Sequence, residues 1–78
     1  MSPNFTLSYY IDRAMAHAGY EKLDDGTYTG EIIDCPGVYS FGATLRECEE
    51  ELQSVLEGWV LLGLQMQHPL PNIQGNLL

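Results

Sequence analysis

The acids, two cysteines and two histidines of this chain are the residues with the chemistry to build a site. Glu49, Glu50 and Glu51 are consecutive, Asp24 and Asp25 are adjacent, and Asp34 precedes Cys35-Pro36-Gly37. Paired carboxylates serve acid–base work or hold hard cations, but only where they converge in a pocket. Consecutive residues of a helix point about 100° apart, so three adjacent glutamates fan outward. Glu47 with Glu51, and Glu50 with Glu57, share a helix face, which predicts a solvated or partner-facing acidic surface. Asp24 and Asp25 are expected to form a turn, and Asp34 to hydrogen-bond one. Asp34 is the foremost lone functional acid, and Glu31 is expected to be simply exposed.

Cys35, Cys48, His17 and His68 supply four zinc ligands by type, yet none is at close ligand spacing. Cys48 falls on an apolar stripe, where cysteine behaves as a small hydrophobe. Nothing in the spacing brings a Cys–His nucleophile pair together. The chain has no GxGxxG and no GxxxxGK[ST] phosphate loop. The expectation is a protein that is not an enzyme, with no cofactor and no metal.

The elements that carry these residues are legible from periodicity. Over residues 4–18, Leu7, Tyr10, Ile11, Ala14, Met15 and Ala18 recur at helical spacing. Asn4 or Thr6 is placed to cap this helix, and Gly19 to end it at C′. Asp25-Gly26 is a hairpin signal; Tyr28, Gly30 and Ile32 share one strand face, and Thr27, Thr29 and Glu31 the other. Pro36-Gly37 marks a turn before a third strand at 38–41. Thr44 and Glu47 form a capping box at the head of a long helix. Its stripe runs Leu45, Cys48, Leu52, Val55, Trp59, Leu62, Met66. Beyond Glu57, Val60, Leu61 and Leu64 make the helix apolar almost all round, which predicts cover from another chain and a homo-oligomer. His68-Pro69-Leu70-Pro71 stops the helix, and residues 72–78 are expected to add a short edge strand. The architecture is α+β, α-β-β-β-α(-β), an antiparallel sheet of three or four strands with helices on one face.

Seventy-eight residues make one small domain, 1–78, whose core is marginal alone. Three basic against eleven acidic residues set a formal charge of −8. That repels phosphate backbones, excluding direct nucleic-acid binding, and attracts a basic protein. The start lacks the charged and apolar regions of a signal peptide, and WVLLGL at 59–64 is too short to span a bilayer. A cytoplasmic, reduced protein is expected.

Asp25-Gly26-Thr27-Tyr28, Gly30-Glu31-Ile32, Cys35-Pro36-Gly37-Val38, Gly42-Ala43-Thr44-Leu45-Arg46-Glu47-Cys48 and Pro69-Leu70-Pro71 occur in the order of a known domain. From about residue 20 to 71 the chain resembles the HicB-like antitoxin domain, in the short single-domain branch with an extra first helix. The resemblance implies an antiparallel sheet with a helix packed on it, a partial RNase H-like fold. It also implies an antitoxin that masks HicA, a small basic mRNA-cleaving toxin. It does not carry over the C-terminal DNA-binding domain of longer relatives, nor any nuclease activity. The surfaces expected to meet a partner are the helix face bearing Glu47, Glu50 and Glu57, and the exposed sheet edge. Val60, Leu61 and Leu64 are the expected oligomer interface. The alternative is an orphan homo-oligomeric module with no toxin.

Overall fold

The computed structural model describes residues 7–71 and residue 73, and the elements follow in the order α-β-β-β-α. Helix α1 is Leu7–Ala16; strands β1, β2 and β3 are Ala18–Lys22, Tyr28–Ile32 and Tyr39–Gly42; helix α2 is Leu45–Gln65. The sheet is an antiparallel meander in the order β1-β2-β3. The expected caps Asn4 and Thr6 lie outside the described residues, as does all of the expected final strand except Ile73, which is not in a strand.

Helix α1 buries Tyr10 and Ala14, one turn apart, with Leu7, Ile11 and Met15 packed beside them. It ends two residues earlier than its periodicity predicts. His17 N–H donates to the Ala14 carbonyl at 3.0 Å, and Ala18 already pairs with Ile32. Gly19 is therefore a strand residue opposite Glu31, not a helix cap. The ladder with β2 satisfies backbone groups that another helical turn would otherwise have claimed.

Two turns shape the meander. In the first, Gly26 N–H donates to Leu23 O and Leu23 N–H to Thr27 O, with Gly26 at φ +89°. Asp25 Oδ1 accepts from both the backbone N–H (2.9 Å) and the hydroxyl (2.6 Å) of Thr27. In the second, Cys35 N–H donates to Ile32 O and Val38 N–H to Cys35 O, two successive tight turns that press Cys35 and Val38 into the core. Gly37, at φ +97°, takes the left-handed conformation that residues with a Cβ avoid.

Helix α2 opens on a variant of the expected capping box: Thr44 Oγ1 accepts from Glu47 N–H, while Glu47 Oε1 accepts from the N–H of Ala43, one residue before the cap, both at 3.1 Å. Its buried line is Cys48, Leu52, Leu56 and Val60, four residues apart throughout. The expected stripe alternated three and four; Val55 and Trp59 flank the true line, while Leu45, Leu62 and Met66 face solvent. A row spaced by four runs obliquely across a helix, and here that row meets the sheet and α1. The helix closes with Gln67 at φ +60°, as His68 N–H donates to Gly63 O and Gln67 N–H to Leu64 O. This is a Schellman closure with glutamine in the place glycine usually takes.

The core thus lies between the helices and the inner sheet face, where Gly30, Ile32 and Ser40 are buried, and Ile73 belongs to the same cluster of buried residues. Ser40 is buried and its hydroxyl is satisfied, donating to Cys48 O at 2.9 Å. At Gly30 an added Cβ would lie 2.9 Å from both Ser40 Oγ and a Tyr20 ring carbon, so the glycine leaves room for that ring.

Candidate functional site

Glu47, Glu50 and Glu57 all stand on the solvent side of α2, away from the Cys48–Val60 line. They are not equivalent. Glu47 is held by its bond to Ala43 N–H, and its carboxylate serves the cap. Glu50 and Glu57, two turns apart, border a shallow depression with Gln53 and Ser54, and Gln53 Nε2 donates to Glu57 Oε2 at 3.2 Å. Glu49, Glu50 and Glu51 are all exposed and fan around the helix.

The expected oligomer patch divides. Val60 is fully buried in the protomer's own core, so it presents no surface to another chain. The four-residue spacing that puts Leu56 in the core carries Val60 there with it. Leu61 and Leu64 are exposed, with Leu62 and Met66 exposed alongside them. Behind this end of α2 lies an apolar groove of about 270 Å³ between Trp59, Leu62 and Met66 and the Pro69–Pro71 segment.

Two arrangements were not readable in the residue spacing. The first joins α1 to the turn after β2. His17 Nδ1 lies 3.1 Å from Asp34 Oδ2, both side chains part-buried. Asp34 sits in the turn as expected, but its side chain reaches across to His17. Beside it, Tyr10 donates its hydroxyl to the Pro71 carbonyl at 2.7 Å. Burial is the largest cause that raises the Tyr10 phenol well above its ordinary range, with Cys35 and Asp34 adding to it. Burial also pushes the Cys35 thiol up. The His17–Asp34 and Tyr10–Pro71 contacts fasten α1 to the turn and to the C-terminal segment. Among the described residues no group of three or more His, Cys, Asp or Glu is arranged to hold a metal ion.

The second arrangement is the outer face of the sheet. Pairing places Glu31 between Gly19 and Tyr39, and Thr29 between Glu21 and Phe41. Tyr39 is 57% exposed and Phe41 68%. These six residues border a broad depression of about 420 Å³, in which Glu21 and Glu31 are the charged groups. The alternation of β2 predicted that Thr29 and Glu31 share this face; only the register with β1 and β3 shows which aromatics stand beside them.

A family model described as UPF0150-like matches residues 9–71. No curated protein matches the chain. Among solved structures, the crystal structure of TTHA0281 from Thermus thermophilus is similar at a TM-score of 0.85 and 42% identity, over 94% of this chain and 91% of that one. No helix among the described residues is long and apolar enough to cross a membrane.

Proposed function

This chain belongs to the UPF0150-like family, and from that premise we propose that it is a non-enzymatic interaction module of the HicB-like kind. In this reading it acts in the cytoplasm as an antitoxin, binding and masking a small basic HicA-type ribonuclease. The observation that carries the reading is charge: eleven acidic residues against three basic ones, in a small fold. Exposed Glu50 and Glu57 on α2, and Glu21 and Glu31 on the sheet, place negative charge on two sides of the molecule. Such a field speeds encounter with a basic protein and disfavours phosphate backbones. Co-expression with the product of the adjacent reading frame tests it. A small basic protein that co-purifies, and whose toxicity this chain relieves, supports the proposal; a neighbour that neither binds nor is toxic removes it.

A second reading is favoured by one observation, the exposed Leu61, Leu62, Leu64 and Met66 at the end of α2. Four large exposed apolar side chains in the last turns of α2 suit a contact with a second copy. Sedimentation velocity separates the outcomes: a dimer that Leu61→Ser/Leu64→Ser converts to monomer supports self-association, and a wild-type monomer ends that reading.

A further inference from the structure

The outer face of the sheet has a composition more specific than acidity. Two rows cross it: Gly19–Glu31–Tyr39 and Glu21–Thr29–Phe41. Residues directly opposite on neighbouring strands hold their Cβ atoms roughly 5 Å apart, so Glu31 is flanked by an aromatic ring on one side. On its other side is Gly19, where an added Cβ would meet nothing within 4 Å. The missing side chain leaves a notch open to solvent beside Glu31, with Glu21 two residues from Gly19 along β1. On edge strand β3, Tyr39 is directly opposite Glu31 and Phe41 is opposite Thr29, diagonal to Glu31, and both rings are exposed.

Carboxylates beside exposed rings match one side chain better than any other. A guanidinium pairs with a carboxylate through two parallel N–H donors, stacks its flat face on an aromatic ring, and carries an apolar stem. Lysine offers a point charge without the planar fork. A second copy of this chain is a poor occupant, since it would set the Glu21–Glu31 pair of one protomer against that of the other. Nucleic acid is opposed by the same carboxylates.

We propose that the outer sheet face is the docking surface for an arginine-bearing segment of a basic protein. Glu31 and Glu21 take the guanidinium, Tyr39 and Phe41 stack against it, and the notch at Gly19 receives the stem. This rests on the reading of the chain as a binder of a basic partner, and moves the contact from the α2 acids to the sheet.

Calorimetry and amide chemical-shift mapping with hexa-arginine and hexa-lysine peptides test it on the full chain. Hexa-arginine is expected to shift amides of residues 19–21, 29–31 and 39–41, and to bind at least about fivefold tighter than hexa-lysine. Glu21→Gln/Glu31→Gln is expected to weaken it by about tenfold or more, and Glu50→Gln/Glu57→Gln, with the same loss of charge, by less than about twofold. Gly19→Leu fills the notch without touching the core and is expected to weaken binding as well. Circular dichroism confirms that each variant folds. Shifts that map to α2, equal affinity for both peptides, equal effects of the two double substitutions, or no binding each overturn the proposal. A toxin partner bound through another surface would refute this inference and leave the antitoxin reading intact; hexa-arginine docked as described, with no toxic neighbour, would do the reverse.

Discussion

Gly42 ends β3 where the chain runs into the cap of α2, and an added Cβ there would stand 2.5 Å from Cys48 N. That atom is backbone at the start of a helix and cannot swing aside. Gly42→Ala is therefore expected to destabilise the fold by about 1–3 kcal/mol, read by urea denaturation. The residue matters for space: its φ is not in the left-handed region. Gln67 is the opposite case, a side chain held at φ +60° where glycine would carry no steric penalty. Gln67→Gly should raise stability by about 0.5–1 kcal/mol, with a matching rise in Tm. The Thr44–Glu47 box was legible because both partners lie within one helical turn. The Asp34–His17 pair was not, because nothing local tells a turn aspartate which helix end will lie beside it.

In α2 the distinction between buried and exposed apolar residues has energetic consequences. Leu56 is fully buried, whereas Leu62 is 55% exposed, although periodicity alone gave Leu62 the core position. Leu56→Ala should cost about 2–5 kcal/mol through lost burial and the cavity left behind. Leu62→Ala should stay within roughly 0.5 kcal/mol, as surface changes do. Equal losses in the two variants would put the helix in the other phase. Both phases contain Cys48 and Leu52, and they differ at Leu45 before that pair and at every position after it. The choice between them rests on the angle at which α2 crosses the sheet, which depends on β2, β3 and α1 together. The meander needed no such information, since two glycine turns, each with its own local hydrogen bonds, join strands of readable alternation.

Across the whole molecule, Tyr10 ties the first helix to the C-terminal segment, through a hydrogen bond between residues 61 apart in sequence. The residue is 2% exposed, and its phenol titrates above its ordinary value of 10.0, mainly because burial penalises the phenolate. The folded state keeps this proton at a pH where the unfolded chain releases it. Its contribution is complete below pH 10 and is lost as pH rises from there toward the folded value. Stability should thus fall on the alkaline side, and Tyr10→Phe should show a shallower fall above pH 10 in pH-dependent denaturation. The variant should also lose about 1 kcal/mol near neutrality, where the bond to Pro71 is missing. Tyr20 and Cys35, both raised chiefly by burial, leave part of the alkaline slope in place.

The residues alone were enough for the element order, the helix cap, the turns and the acidic character. Each of these is governed by neighbours a few positions away or by composition. The core position of Val60, the joining of His17 to Asp34, and the array of Glu31, Gly19, Tyr39 and Phe41 came from the fold. Strand register and helix crossing angle set all three, and both are settled by packing among distant segments, for which no short stretch of sequence carries the geometry.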